Sequence, residues 1–142
     1  MSITQTTKEQ ATPIATAATV DLKLEVVVIP VSDVDRAKRF YEGLGWRLDA
    51  DFVNGENWRG VQMTPPGSPC SIHFGKGIGT AVPGSVQNLY LVVSDIEAAR
   101  AELSGRGVQV GDVQEMGRPG GPGYKFLFFS DPDGNGWAVQ EL

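Results

Sequence analysis

The feature that most constrains this chain is an internal repeat. The segment Val31-Ser32-Asp33 recurs 62 positions later as Val93-Ser94-Asp95. The same offset relates two pairs of glycines, Gly43 with Gly105 and Gly45 with Gly107. In each copy an apolar run precedes Ser-Asp, and an apolar periodicity of helical type follows it as far as the glycines. A strand-helix unit that occurs twice in 142 residues predicts a duplicated fold with a seam between its halves.

The start of each predicted helix carries a capping signal. Ser32 with Asp35, and Ser94 with Glu97, have the spacing of a capping box, in which two side chains satisfy free backbone amides. Apolar residues then recur at the spacing of one helix face, and they are Ala37, Phe40, Tyr41 and Leu44 in the first copy and Ile96, Ala99 and Leu103 in the second. Both helices are predicted to end near their first glycine.

The rest of the chain reads as short strands separated by turn residues. Strands are predicted at 22–31 and 87–93 before the helices, then at 46–52, 58–64 and 70–74, and at 108–113, 124–129 and 137–142 after them. This order predicts an α+β fold of two tandem βαβββ modules. The expected boundaries are a flexible N-terminal arm at 1–20 and a single domain at 21–142, made of a first module at 21–76, a linker at 77–85 and a second module at 86–142.

Charge and composition exclude several classes of partner. A net charge of -5 and a pI near 4.8 argue against binding to nucleic acid or an anionic membrane, which needs concentrated Lys and Arg. No apolar run approaches the length of a membrane span. The single cysteine, Cys70, excludes an internal disulfide and fits a cytoplasmic location. The glycine-rich segment 75–85 lacks the Gly-Lys-Ser/Thr of a phosphate loop.

Three segments together resemble a known superfamily. VSDVDRAKRFYEGLGW, LYLVVSDIEAARAEL and FSDPDGNGWAVQEL, in this order, resemble the vicinal oxygen chelate superfamily of glyoxalases, bleomycin-resistance proteins and extradiol dioxygenases, over about residues 22–142. The resemblance implies that the two βαβββ modules form a curved mixed sheet around a cleft, usually in a homodimer. Activity varies widely within such a superfold, so the fold alone does not predict the function.

The resemblance also implies where a catalytic metal would bind. Its metal-dependent members carry ligands at positions that correspond here to Val26, Asn88 and Ala138. Alkyl side chains cannot coordinate a metal, so we expect neither a catalytic metal nor another cofactor. A weak displaced site that uses His73, Asn88, Gln140 or Glu141 stays open. Asp131-Pro132-Asp133-Gly134-Asn135-Gly136 resembles the start of a calcium loop, but the residue at its twelfth position is Leu142, so a tight turn is expected.

Strand alternation places every second residue on one face, so Val28, Tyr90 and Gln140 share the faces of the positions that the resemblance implies, Val26, Asn88 and Ala138. The other candidates are polar or aromatic residues expected to line or border the cleft. The predicted cleft has an apolar wall with a few polar groups, and an organic ligand suits such a pocket. The ligand-binding candidates are Val26, Val28, Trp46, Trp58, Gln62, Asn88, Arg118 and Gln140, and the catalytic candidates are His73 and Tyr90. Phe52 and the glycine-rich loop 117–123, a candidate lid, would border the cleft. Each of these residues also has a purely structural interpretation.

Two classes of function remain, with a third behind them. The favoured one is a protein that binds a small, partly aromatic organic molecule, as bleomycin-resistance proteins do, without chemistry. The alternative is a metal-free isomerase, lyase or cyclase acting on a small carbonyl or polyketide-like metabolite, with His73 or Tyr90 moving a proton. A divalent-metal-dependent lyase or dioxygenase with displaced ligands is the second alternative.

Overall fold

The computed structural model describes residues 15–118 and 120–142, without the side chains of Arg118 and Pro122. Most of the predicted arm therefore lies outside the described residues. The elements in chain order are β1 (Val26–Val28), α1 (Val34–Gly43), β2 (Arg47–Asn54), β3 (Trp58–Thr64), β4 (Ser71–Lys76), β5 (Leu89–Val93), α2 (Ile96–Gly105), β6 (Gln114–Arg118), β7 (Gly121–Ser130) and β8 (Gly136–Glu141).

The strands form two four-stranded mixed sheets with the same plan. The first sheet has the order β1-β4-β3-β2 and the second has the order β5-β8-β7-β6. In both sheets the strand that precedes the helix lies parallel to the last strand of its module, and the other pairs are antiparallel. The predicted α+β fold of two βαβββ modules is confirmed.

The helices begin one residue later than the capping boxes predict. Asp33 and Asp95 are the N-caps, and their carboxylates accept hydrogen bonds from Arg36 N and Ala98 N at 3.1 Å. An aspartate caps as well as a serine does, so Ser32 is free to donate its hydroxyl hydrogen to Asp133 instead. Neither helix is long and apolar enough to cross a membrane in the part of the chain described here.

Each helix ends before a glycine with a left-handed backbone. Gly45 has φ of 84° and Gly107 has φ of 88°. Residues with a Cβ rarely adopt this conformation, and glycine adopts it readily at the end of a helix. The two glycines are 62 positions apart, so the repeat extends to the backbone geometry.

Two strand predictions were wrong in extent or kind. The first strand covers only Val26–Val28 of the predicted 22–31. The segment 108–113 is not a strand, although Val108, Val110 and Val113 pack against the core. Its backbone bonds to β7 through Gly111 N, which donates to Phe128 O. Alternating apolar residues therefore bury this connection without a strand ladder.

A single hydrophobic core lies between the helix-covered sides of both sheets. Its centre is an aromatic cluster in which the Tyr41 ring lies 5.0 Å from Trp46 and 6.1 Å from Trp137, and the two tryptophan rings lie 5.1 Å apart. Tyr41 and Trp46 belong to the first module and Trp137 belongs to the second. The halves therefore share one core across the predicted seam.

A buried carboxylate also joins the halves. Asp131 accepts hydrogen bonds from Tyr41 Oη (2.9 Å), Asn135 Nδ2 (2.9 Å), Asn135 N (2.9 Å) and Asp133 N (3.0 Å). The Trp137 indole N–H donates to Tyr41 Oη at 3.0 Å. Burial, followed by the charge of Asp131, raises the pKa of Tyr41 far above its ordinary value, so the phenol stays protonated and donates.

The turn that carries Asp131 is the predicted tight turn. Gly134 N donates to Asp131 O, and Gly134 has φ of 98°. Asn135 is fully buried, and its amide donates to Pro30 O at 2.8 Å in the first module. The residue types that suggested a calcium loop therefore serve to close a turn and to attach it to the other half.

An ion-pair network fixes β2 to α1. Asp51 on β2 accepts from Arg59 Nε (3.0 Å) and Nη2 (2.9 Å) and from Lys38 Nζ (2.9 Å) on α1. Arg59 also donates to Asp35 at 2.9 Å. The hydrogen bonds from Arg59, then those from Lys38, hold the pKa of Asp51 well below its usual range.

We predict that Tyr41→Phe lowers the free energy of unfolding by about 1–3 kcal/mol, because it removes one donor to a buried carboxylate and orphans the Trp137 N–H. Urea denaturation measures this change. Tyr90→Phe makes the same chemical change at an exposed tyrosine and should leave stability unchanged. Equal effects of the two substitutions would contradict a linking role for Tyr41.

A second prediction concerns pH. Because the folded-state pKa of Asp51 is lowered, its contribution to stability is present above the ordinary aspartate pKa of about 3.9 and is lost as pH falls below it. Asp51→Asn should therefore lower stability at neutral pH by about 1 kcal/mol and flatten its decline in acid. Thermal melts from neutral to strongly acidic pH test this, and an unchanged acid slope would contradict it.

Candidate functional site

Each sheet covers one face with its helix and leaves the other face open. In the first sheet Val61, Met63 and Phe74 are buried in the core. Their neighbours Gln62 and His73 are only half-buried and point to the opposite face. The open face therefore carries the residues that are not needed for the core.

A register row crosses the open face of the first sheet. His73 on β4 pairs with Val28 on β1 and with Gln62 on β3. Gln62 pairs in turn with Ala50 on β2. Three candidates from the sequence, Val28, Gln62 and His73, are thus neighbours on one surface.

A cavity of about 350 Å³ lies at the β2–β3 side of this row. It is lined by Ala50, Phe52, Val53, Asn54, Trp58, Gly60, Gln62 and His73, and we call it the His73 cavity. Its floor is Gly60, where an added Cβ would lie 2.7 Å from His73 Nε2 and 2.6 Å from the Trp58 ring. The imidazole and the indole therefore occupy the space above a residue that has no side chain.

The polar groups of the His73 cavity are neutral amides and rings. Neither the Gln62 amide nor the His73 imidazole has a hydrogen-bond partner within the described residues, and both are half-buried. Half-buried polar groups without protein partners are available to a ligand. Apolar side chains supply the rest of the wall, with Phe52 68% exposed.

The open face of the second sheet is also apolar and aromatic. Tyr90 on β5 is 60% exposed and pairs with Ala138. Its ring lies 6.4 Å from Phe126, which stacks on Phe128 at 6.3 Å. Gln140 on β8 pairs with both Val92 and Phe126 and supplies a half-buried amide on this face.

Within one chain, the sequence candidates are divided between two surfaces. His73, Gln62 and Trp58 line the His73 cavity, whereas Tyr90 lines a different cavity of about 360 Å³ beside the loop 65–69. Gln140 lies on the same sheet as Tyr90. The candidates expected to line a single cleft therefore lie on two open faces, one on each sheet.

Three other candidates have structural surroundings. Trp46 is buried in the aromatic core, where its edge also lines the cavity beside the loop 65–69, and it does not share the open face with Trp58 and Phe52. Asn88 precedes β5 and has φ of 60°, a conformation that asparagine tolerates better than most residues. Val26 is half-buried on β1 beside Ser71, two residues from Val28 and away from the His73 cavity.

The glycine-rich segment 117–123 is a hairpin in which strand structure reaches further than expected. β6 continues to Arg118 and β7 starts at Gly121, and these two residues pair. The connection is therefore shorter than the predicted loop. The Arg118 side chain lies outside the described part of the chain, so its expected role as a ligand contact stays a prediction.

The donor set does not fit the metal site of the superfamily. Val26 and Ala138 stand at two of the three expected ligand positions, and Ala138 is fully buried. Glu141, a displaced candidate, accepts a hydrogen bond from Ile96 N at 3.0 Å at the start of α2. Within residues 15–118 and 120–142, no three His, Cys, Asp or Glu side chains gather closely enough to hold a metal ion.

The structure adds site residues that were not singled out from the sequence. Gly60 was not a candidate because a glycine in a strand has no functional side chain. Its lack of a side chain nevertheless leaves the space that the His73 and Trp58 rings occupy in the His73 cavity. Phe126 and Phe128 lie in KFLFF at 125–129, where both faces of the strand are apolar. A strand that is apolar on both faces is the signal that a second surface must also be covered.

Comparisons with known proteins agree with this fold. A sequence model of the Glyoxalase/Bleomycin resistance protein/Dioxygenase superfamily matches residues 23–139. A glyoxylase-like domain-containing protein of Didymella fabae is 32% identical over 118 residues, which are 80% of this chain and 88% of that protein.

Two solved structures from Streptomyces sp. CB03234 are similar over most of the chain. TnmS3, an antibiotic binding protein, is 32% identical with a TM-score of 0.71, and the match covers 88% of this chain and 98% of that one. A glyoxalase/bleomycin resistance protein is 35% identical with a TM-score of 0.66 and covers 84% of this chain and all of its own, 100%.

We predict that Gly60→Ala disturbs the His73 cavity, because the new methyl group must displace the His73 and Trp58 rings. Overpacking of this kind costs about 1–3 kcal/mol of stability. His73 is the single histidine, so its imidazole signal in an NMR spectrum should shift unambiguously. Gly79→Ala, where an added Cβ meets nothing within 4 Å, is the matched control. An unmoved imidazole signal in Gly60→Ala would contradict the geometry.

Proposed function

The chain belongs to the Glyoxalase/Bleomycin resistance protein/Dioxygenase superfamily, and we propose that it binds and sequesters a small, partly aromatic organic molecule without a catalytic metal. The observation that carries this proposal is the His73 cavity, which combines the exposed Phe52 and the half-buried Trp58 with neutral polar groups that have no partners within the described residues. Such a surface complements a ligand and supplies few groups for catalysis.

The aromatic character of the ligand follows from the cavity wall. Phe52 and Trp58 line the same cavity from neighbouring strands. Aromatic faces stack on planar ligands and add about 0.5–1.5 kcal/mol beyond the area that they bury. The similarity to TnmS3, which is an antibiotic binding protein, supports an antibiotic or a comparable natural product as the ligand.

A homodimer is part of the proposal. Each chain has two open apolar faces, represented by Phe52 on the first sheet and Tyr90 on the second. Extended apolar surfaces of this kind mark interaction sites. Pairing two chains about a two-fold axis, with the first sheet of one facing the second sheet of the other, would bring His73 and Tyr90 to one cleft.

The remaining parts of the proposal concern organisation and location. Residues 21–142 act as one domain with a linker at 77–85, a span that lies between β4 and β5. A cytoplasmic location is favoured by the unpaired thiol of Cys70, which is the single cysteine. The absence of a catalytic metal rests on Val26 and Ala138, whose side chains cannot coordinate one.

A metal-free isomerase, lyase or cyclase is the second candidate. The observation in its favour is His73, an imidazole that faces a cavity without a hydrogen-bond partner among the described residues. An imidazole so placed can accept a proton from a bound substrate. Tyr90 would reach the same substrate only from the partner chain of the proposed dimer.

We predict that His73→Gln and Tyr90→Phe each weaken ligand binding by at most about tenfold, because each removes a hydrogen bond worth about 0.5–1.5 kcal/mol. Aromatic antibiotics, with bleomycin among them, are screened by quenching of tryptophan fluorescence. Phe52→Ala should weaken binding further, whereas Val82→Ala, an exposed truncation outside the cavity, should not.

The same variants separate a binder from an enzyme. If His73 or Tyr90 transfers a proton, its replacement should lower turnover by about 100-fold or more with little change in affinity. Mass spectrometry of the bound compound shows whether it is altered, and elemental analysis shows whether the protein holds a metal. Recovery of an altered compound, or stoichiometric metal that activity requires, would overturn sequestration without a metal.

A further inference from the structure

A second cavity lies between the first sheet and the linker 77–85. Its volume is about 100 Å³, and we call it the linker cavity. It is lined by residues 28–31 at the end of β1 and beyond it, by Gly75 on β4, and by Ile78, Gly79, Ala81 and Val86. None of these residues has a polar side chain. The linker cavity therefore differs in chemistry from the His73 cavity, which contains amides, an imidazole and aromatic rings.

The linker that covers this cavity is fixed near both of its ends. At its start Gly77 has φ of 75°, and an added Cβ there would collide with Asn57 O. Near its end Gly84 has φ of 83°, and an added Cβ there would collide with Asp133 O. Gly84 N also donates to Pro30 O at 3.4 Å. A cavity with fixed walls keeps its shape without a ligand, so little conformational entropy is lost when a ligand enters it.

The linker cavity and the His73 cavity are neighbours on the open face of the first sheet. His73, which lines one cavity, pairs with Val28, which lines the other. Gly60 and Gly75 are related in the same way, because Gly60 lines the His73 cavity, Gly75 lines the linker cavity, and the two residues pair. Adjacent strands lie about 4.8 Å apart, so one small molecule can extend from one cavity into the other.

Two side chains stand at the boundary between the cavities. An added Cβ at Gly60 would lie 2.7 Å from His73 Nε2, and an added Cβ at Gly75 would lie 2.6 Å from Ile78 Cδ1. Each side chain therefore occupies space beside one member of the glycine pair. Ile78 is half-buried and belongs to the linker. The passage from the His73 cavity into the linker cavity is thus limited by one aliphatic side chain.

The volume and the lining indicate which chemical group fits the linker cavity. An apolar cavity of about 150 Å³ takes up benzene or xenon, so a cavity of about 100 Å³ has room for about four carbon atoms. A hydroxyl or an amide would find no side-chain partner there, and burying a polar group without a partner is unfavourable. The lining therefore favours an alkyl group over a polar one.

We propose that the linker cavity is a subsite for an aliphatic substituent of about three or four carbons, carried by a ligand whose aromatic ring lies in the His73 cavity. This inference rests on the ligand binding proposed above and specifies the class of ligand, an aromatic compound with a short alkyl side chain. Ile78 then determines the length of alkyl chain that the protein accepts.

The first test asks whether the linker cavity takes up an apolar probe on its own. Xenon dissolved under pressure should shift the NMR signal of the Ile78 δ1 methyl group in the full chain, a signal assigned from its loss in Ile78→Val. Ala81→Leu and Val86→Leu add volume at the cavity wall and should reduce the shift. Val82→Leu adds similar volume at a residue that is 70% exposed and does not line the cavity, so it is the matched control.

Two results of this test would overturn the subsite. One is an Ile78 methyl signal that xenon does not move. The other is a shift that persists unchanged in both Ala81→Leu and Val86→Leu, because xenon would then occupy another place. Neither result touches the proposed binding of an aromatic ring in the His73 cavity.

The second test measures binding of phenol and of its 4-alkyl derivatives from methyl to hexyl by NMR titration. The signal of His73, the single histidine, reports the ring, and the Ile78 methyl signal reports the chain. Affinity should rise by about fourfold for each methylene that enters the cavity and should stop rising after about four carbons. Ile78→Ala should move this plateau to a longer chain and Ala81→Leu to a shorter one. A packing defect alone would lower affinity across the series without moving the plateau.

The outcomes separate this inference from the proposed function. If the phenols shift the His73 signal with an affinity that is independent of chain length, or that still rises at hexyl, the subsite is wrong and binding of the ring stands. If xenon enters the linker cavity but no phenol shifts the His73 signal, the proposed aromatic site is wrong and the coupling of the two cavities falls with it. A plateau that stays at the same length in Ile78→Ala would overturn the role of Ile78.

Discussion

The structure depends on one buried carboxylate. Asp131 is removed from water yet accepts four hydrogen bonds, including those from Tyr41 and Asn135. Burying a charge without such compensation costs several kcal/mol, whereas a carboxylate that is fully hydrogen-bonded is tolerated. Three of these donors lie in the turn that carries Asp131, and the fourth, Tyr41 Oη, lies in the first module, so the set is complete only when the modules are docked. Docking is thus enforced by polarity as well as by the aromatic core.

This docking decides which surfaces remain for function. Because the modules meet through their helix-covered sides, the other face of each sheet is turned to solvent. Covering the faces with helices in the same chain would require elements that the βαβββ plan does not contain. The exposed Phe52 and Tyr90 lie on these open faces, which the ligand and the second chain proposed above would cover.

The sequence predicted the parts of the fold that depend on repetition and period, and it missed parts that depend on long-range contacts. The 62-position offset of the repeat and the spacing of its glycines predicted the ends of both helices to within a residue or two. Strand alternation put Val28 on the predicted cleft face, and the structure places the candidates His73 and Gln62 in the same register row. Alternation could not show that His73 and Tyr90 lie on different sheets, because alternation gives a face and not a partner. Trp46 was ambiguous in the sequence for a different reason, since an aromatic residue suits a core and a pocket equally.

The two halves share one plan but differ in the size of the side chains that their helices present. Phe40 and Tyr41 on α1 correspond, 62 positions later, to Glu102 and Leu103 on α2. The larger pair fills the first module and reaches Phe129 and Asp131 in the second. The smaller pair leaves an apolar cavity beside α2 that continues to β5. After duplication, one copy could thus specialise in joining the halves while its repeat kept an unfilled surface.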